Sequence, residues 1–235
     1  MTSEKSKAKK KFGILIAVRS DSKRLPGKHF KIINDKLKLS VLDYCIKRCK
    51  KSKIQNIILC TSSNKNDNIF EEYAKKSKVK IFRGSKNNVL KRYIDCAEKY
   101  CISDIVRITG DCPLVDKNII NNLLNIYNKN DYDYVSNVTP PTFPDGLDVE
   151  IVKLLALKRS YADNKSHLNK EHITLHIRKS NEYKKHNMIY KNNLSKIRWT
   201  VDTANDLKLI KKIVVKFHPK IHFDWKEIYK LREFN

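Results

Sequence analysis

Glycine is scarce in this chain, at five residues in 235. None of the five builds the Gly-x-Gly-x-x-Gly of a dinucleotide fold or the loop of a P-loop NTPase, so both common glycine-rich phosphate cradles are excluded. Cysteine occurs six times (Cys45, Cys49, Cys60, Cys96, Cys101, Cys112), without a Cys-x-x-Cys pair or a Cys/His ligand spacing. That pattern reads as reduced, buried thiols and argues against a zinc module or a disulfide framework. No apolar run approaches the ~20 residues that span a bilayer. The opening MTSEKSKAKKK lacks the apolar stretch of a signal peptide, so a soluble, cytoplasmic protein without membrane insertion is expected. Acidic residues are half as frequent as basic ones, 25 against 50, for a net charge of +25. Arginine is nevertheless short, 10 against 40 lysines. A nucleic-acid surface concentrates arginine and interleaves aromatic side chains for stacking. Here lysine is spread over every segment among abundant Asn and Ile, as AT-rich coding produces. Nucleic acid is therefore not the expected partner, although the surplus charge should attract anionic substrates.

Short β-rich apolar runs alternate with longer segments of helical period. Strands are predicted at 12–18 (FGILIAV), 54–62, 79–84, 104–109 (DIVRIT) and 133–138. Helices are predicted at 40–51, with Ser40 as N-cap, and at 66–76, 87–100 and 117–129. Within 87–100, Val89, Leu90, Tyr93, Ile94 and Ala97 form a stripe that faces a sheet. Such alternation predicts an α/β, Rossmann-like fold with a mostly parallel sheet between two helical layers. Residues 1–11 read as a disordered basic tail and 12–235 as one domain. TPPTFPDG (139–146) carries three of the six prolines and opens an expected insertion, about 139–195, that covers a substrate pocket or makes a dimer contact. Helices are expected in it near 152–161 and 169–180 and a strand near 185–190. A helix follows at 204–217 and a last one from about Asp224.

Ligands of such sheets bind at the carboxyl ends of the strands, and three stretches fall at that edge. RSDSKRLPGK (19–28) leaves the first strand with four cations. Ser22 stands where a P-loop opens with glycine, and His29 follows Lys28 where Ser or Thr should be, yet Arg19, Lys23, Arg24 and Lys28 can meet phosphate oxygens alongside backbone N–H groups. Pro26-Gly27 bends Lys28 back toward the strand edge. RITGDCPLVD (107–116) places Asp111 on a bend after DIVRIT, where a carboxylate can either hold a hard cation or cap a turn. RWTVDTANDL (198–207) places Asp202 after another apolar run; Thr203 and Asp206 suffice to cap the helix that follows, which leaves Asp202 as a second candidate ligand.

These stretches also carry a resemblance. The AxRxxSxRLPGK pattern after a strand, RxTGDCPL, PDGLDVE (144–150), EHIT..IR (171–178) and RWTVDT..DL resemble the cytidylyltransferase-related family of spore-coat polysaccharide biosynthesis. That family is similar to the CMP-sugar synthetases for 3-deoxy-manno-octulosonate and acylneuraminate. The resemblance covers residues 12 to about 215. It implies a nucleotide-diphospho-sugar transferase fold, a homodimer, and Mg²⁺-dependent transfer of CMP from CTP to a sugar acid or related anionic acceptor, with release of pyrophosphate. By the same resemblance Arg19, Arg24 and Lys28 would hold the CTP phosphates, with Ser22 supporting their loop. Asp111 and Asp202 would hold the metal and, with Arg19 and Lys28, make up the catalytic set. Arg83, Gly84, Ser85, Thr109 and Gly110 would lie along the nucleotide, and Asp145, Asp148, Glu150, Glu171, His172 and Arg178 would face the acceptor. Ala17 stands where many relatives have Gln. Thr109 and Cys112 replace the Gln and Glu of the two sugar-acid branches, which draws the chain toward the spore-coat type.

Three other readings stay open at this point. Asp131-Tyr132-Asp133 has the form of the Asp-x-Asp metal motif of glycosyltransferases that use nucleotide sugars. A basic nucleic-acid-binding protein would account for the charge alone. A non-catalytic relative would keep the fold without the chemistry.

Overall fold

In a computed structural model of the protein, which describes residues 10–163 and 167–234, the apolar runs become the strands of one central sheet. They are β1 (Phe12–Ala17), β4 (Ile57–Ser62), β5 (Lys80–Gly84), β6 (Asp104–Thr109), β7 (Tyr134–Ser136), β8 (Glu150–Lys153) and β9 (Lys185–Asn187). A separate ribbon pairs β2 (Ile32–Asn34) with β3 (Leu39–Ser40). The seven strands lie in the order β5-β4-β1-β6-β8-β7-β9. β1 pairs in parallel with β4 and β6, β4 with β5, and β7 with β9. Only β8 runs the other way, antiparallel to both β6 and β7. The residues just before β8 therefore arrive at the edge where the other strands end.

The two faces of the sheet explain the continuous apolar runs: a strand covered on both sides needs no polar face. Along β1, Ile14 and Ile16 point into one cluster and Leu15 into the other. The first cluster is closed by α1 (Val41–Cys49), α2 (Ile69–Ser77), α4 (Lys117–Lys129), α8 (Ala204–Phe217) and α9 (Trp225–Lys230). The second is closed by α3 (Val89–Lys99), α5 (Leu154–Asp163) and α7 (Leu175–Lys179), with α6 (His167–Glu171) against α3. Leu90, Tyr93, Ile94 and Ala97 of the predicted stripe are all buried there; Leu90 and Ile94 each contribute about 1.5–3 kcal/mol by leaving water. Capping follows the sequence. Ser40 and Asp43 form a reciprocal box on α1, and Thr203 and Asp206 form another on α8.

The segment 139–195 supplies β8 and β9 to the sheet itself and α5 to α7 to one helical layer. Residues 1–9 of the expected tail lie outside the described residues, whereas Lys10 already reaches the body, its Nζ donating to the Tyr127 carbonyl at 3.2 Å. Among the described residues no helix is long and apolar enough to cross a membrane.

Arg48 locks α1 to the C-terminal elements. Buried to 3% exposure, it donates to the carbonyls of Leu114, Val115, Ile221 and Phe223 at 2.7–3.3 Å and lies 3.6 Å from Asp116. Replacing it by an apolar side chain removes the donor to those four carbonyls and the cation beside Asp116, whose carboxylate keeps only the backbone N–H groups of Asn118 and Trp225. Arg48→Leu is expected to cost about 3–5 kcal/mol in urea unfolding.

Candidate active site

The loop after β1 turns at Pro26 and at Gly27, whose φ of +66° is a backbone geometry that glycine adopts without strain. The turn opens a short 3-10 helix, Lys28–Phe30. Lys28 is thereby returned to the sheet edge. Its Nζ donates to Oδ2 of Asp111 at 2.5 Å and to Oδ1 of Asp202 at 2.7 Å. Arg24 Nη2 reaches the other oxygen of Asp202 at 3.0 Å.

Asp111 follows β6 directly, and the backbone of the preceding Gly110 is tied to β1 by its N–H on the Ala17 carbonyl at 2.9 Å. Asp202 arrives from far along the chain by a different device. The extended stretch 197–201 lies beside two loops: the Asp145 N–H donates to the Ile197 carbonyl at 2.9 Å, the Trp199 N–H to the Asp145 carbonyl at 2.7 Å, and the Val201 N–H to the Asp111 carbonyl at 2.9 Å. The contact requires glycine at 146. There φ is +104°, and a Cβ would stand 2.6 Å from the Trp199 backbone carbon. The run KIRWTVDT is thus not a strand of the sheet but a tether that carries Asp202 to Asp111.

Charge is tightly matched at this edge. Burial works against the Lys28 ammonium, but Asp111 and Asp202 outweigh it and hold its pKa above the usual lysine range. Burial would raise the Asp111 carboxyl, yet Lys28 keeps it below the usual range. Arg198 forks between Asp145 (2.6 Å), Asp202 (2.8 Å) and Asp206 (3.3 Å). Asp148, just before the reversed β8, is pushed up to about 7, first by burial and then by the neighbouring Asp145 and Glu150 carboxylates, against the pull of Arg107. Buried His29, beneath the loop, is driven down to about 4 by desolvation in spite of Asp111 and so stays neutral.

Two carboxylate oxygens that converge on a single cationic point, at 2.5 and 2.7 Å, have the donor type and the convergence that Mg²⁺ takes from protein, substrate phosphates completing its shell. The residues fit that ion. Beside them a cleft of about 270 Å³ is lined by Arg19, Ser20, Asp67, Lys86, Arg92 and Glu171, among others.

The model of one protein family, described as cytidylyltransferase, matches residues 13–229. The chain belongs to the cytidylyltransferase family. Among solved structures, a cytidylyltransferase from Leptospira borgpetersenii serovar Hardjo-bovis superimposes with a TM-score of 0.90 at 32% identity, over 96% of this chain and 94% of that one. The spore coat polysaccharide biosynthesis protein SpsF of Bacillus subtilis is 28% identical over 222 residues, 86% of this chain and 85% of SpsF. The 3-deoxy-manno-octulosonate cytidylyltransferase of Fusobacterium nucleatum subsp. nucleatum is 32% identical over 123 residues, 51% of this chain and 47% of that protein. The cytidylyltransferase is a nucleotidyltransferase that uses CTP, on the α/β, Rossmann-like fold that the alternation of elements implied.

Not every residue named from the resemblance stands at the centre of this site. Lys28, Asp111, Asp202 and Arg24 meet directly, Asp145 joins them through Arg198, and Arg19 and Ser22 lie on the loop beside them. Arg83 is spent on structure: it holds Glu71 at 2.7 Å and the carbonyls of Ser62 and Asn64. Ser85 accepts the Asn88 N–H at 3.1 Å, and it is the next residues, Lys86 and Asn87, with Arg92, that line the cleft. Thr109 Oγ1 pairs with the buried Cys112 thiol at 3.0 Å. Glu150 does not face open space. Buried, it binds the Arg107 guanidinium and accepts from Tyr134 (2.7 Å) and Thr174 (2.5 Å), pinning α7 to the sheet. Glu171 lines the cleft next to Arg19, His172 is exposed, and Arg178 lines a separate hollow of about 170 Å³ with Thr139, Lys185 and Asn187. Asp131 and Asp133 precede β7 at the opposite edge of the sheet, where both pair with Lys153. Arg198, Arg92 and Asp67 were missed. Arg198 stands inside a quoted motif and could have been found there, whereas Asp67 sits in an ordinary polar turn.

Removing the central cation should expose its worth as a function of pH. Asp111 has a depressed pKa, so its share of stability is present above the ordinary carboxylate value of ~3.9 and is lost as pH falls through the depressed one. Lys28 has a raised pKa, so its share is present below the ordinary lysine value of ~10.4 and is lost as pH climbs through the raised one. Lys28→Met is expected to cost about 2 kcal/mol at pH 7, shrinking as pH falls below the ordinary carboxylate value and through the depressed one of Asp111, by urea unfolding across that range.

Proposed function

We propose that the protein catalyses Mg²⁺-dependent transfer of CMP from CTP to a sugar acid or related anionic acceptor, with release of pyrophosphate, in the synthesis of a surface polysaccharide or glycoconjugate. The observation that carries this reading is the Lys28 ammonium between Asp111 and Asp202: the basic loop and the two acids meet at one point of the ligand-binding edge.

In this scheme Arg19 and Arg24 hold the triphosphate. Lys28, freed from the two aspartates, neutralises charge on the departing pyrophosphate, an effect worth roughly a few kcal/mol per fixed charge. Magnesium held by Asp111 and Asp202 would offset phosphate charge and align the triphosphate for in-line attack. An acceptor oxygen attacks the α-phosphorus as the bond to the β-phosphate oxygen breaks. Asp148, poised at about 7 on the acceptor side, suits a base that takes the acceptor's proton. Arg178, whose Nε is buried without a partner among the described residues, supports binding of an anionic acceptor in the hollow beside β7 and β9. A homodimer through 139–195 accords with Leu155, Leu168 and Ile189, which stand exposed on that segment. The glycosyltransferase alternative loses its motif, because Asp131 and Asp133 lie across the sheet from the cleft.

A panel of CTP, UTP, GTP and ATP with Mg²⁺, followed by an acceptor screen, tests the reaction. Pyrophosphate release is expected with CTP, and Asp111→Asn should reduce it at least ~10³-fold while the variant still folds and unfolds in one cooperative transition, at a somewhat lower melting temperature because the Lys28 pair is lost. Release from the variant at the wild-type rate would remove Asp111 from the mechanism. The rate should also rise with pH through about 7. Asp148→Asn should lower kcat by about 10²–10⁴ and flatten that limb, read from the pH profile.

A further inference from the structure

Asp67 lies outside the three motif-bearing stretches at the sheet edge, 19–28, 107–116 and 198–207. It sits on a 3-10 turn, Lys65–Asn68, buried to 3% exposure at the base of the cleft. Its Oδ1 accepts the backbone N–H of Ser20 at 2.8 Å and the Ser20 hydroxyl at 2.6 Å, while Oδ2 accepts the Ser62 hydroxyl. One carboxylate therefore ties the end of β4 to the first residues of the basic loop. The neighbouring Arg19 N–H faces Nε2 of neutral His29 at 3.5 Å. The first two amides of the loop are thus turned into the protein and cannot serve a phosphate. What the loop offers there is the Arg19 side chain, 67% exposed at the cleft wall.

We propose that Asp67 is a positioning residue for the triphosphate: by clamping Ser20 it holds the Arg19 end of the loop in its binding geometry before the nucleotide arrives. The inference rests on loop 19–28 being the holder of the phosphates. The clamp adds no ligand atom of its own. Ordering of the loop is completed on folding, so binding does not bear that entropy. A carboxylate suits the task because it accepts from three donors at once, and an amide could keep the Ser20 contacts while donating to Ser62.

The test measures CTP and cytidine affinities by calorimetry in the presence of Mg²⁺, along with hydrogen exchange at the Ser20 amide without ligand. Asp67→Ala should weaken CTP roughly 30-fold while cytidine changes less than ~3-fold, because a misplaced contact can cost up to ~10². The Ser20 amide should lose protection in the same variant. Asp67→Asn should restore CTP affinity to within ~5-fold and recover protection. General disruption would instead weaken both ligands together, and that result overturns the proposal, as does unchanged CTP affinity in a folded Asp67→Ala. Should that variant not fold, Asp67→Asn combined with Ser20→Ala takes its place, with the same two outcomes. Arg24→Ala is the control. Loss of CTP affinity there but not in the Asp67 variants overturns the clamp alone, whereas no loss in either overturns the reading of the loop itself.

Discussion

The ammonium of Lys28 shared between Asp111 and Asp202 is the constraint around which the edge of the sheet is arranged. Two carboxylates so close would repel one another and draw in water. With the cation between them they define one point, reached from three directions: a bend after β1, the end of β6, and a tether that returns from beyond β9. The surrounding choices follow from that meeting. Pro26-Gly27 sets the bend. Neutral His29 adds no second charge beneath it. Arg198 links Asp202 to the flanking acids Asp145 and Asp206 and balances their charge.

The reversed strand β8 divides the site into halves of different origin. On one side, β1, β4 and β5 end in loops that carry cations and amides, the usual outcome of a parallel sheet. On the other side β8 enters the sheet from the ligand edge, so the residues ahead of it, Asp145 and Asp148, reach the centre by preceding a strand. Glu150, the first residue of β8, is consumed in joining α7 to the sheet and leaves the chemistry to its neighbours.

Legibility in the sequence followed the range of the interactions. β1, β4, β6 and the stripe of α3 were readable because they are local patterns of burial, and so were the caps at Ser40 and Thr203. Lys28, Asp111 and Asp202 were readable because each lies in a motif with a bend or a cap that the acid or base itself does not need. The order of strands was not, since the position of β8 depends on pairings more than forty residues apart (Arg107 with Glu150). The Glu71 partner of Arg83 could not be read, because a cation at a strand end looks the same whether it faces a ligand or a neighbouring glutamate. Asp67 gave no signal at all, its partners lying 47 residues away at Ser20 and within an unremarkable serine pair at 62–63.

The absence of a side chain at Gly146 has a mechanical outcome. With the backbone there pressed on Trp199 and Thr200, no slack separates the loop ahead of β8 from the tether that bears Asp202. The two are packed backbone against backbone, so any displacement of the loop ahead of β8 bears directly on the chain that carries Asp202.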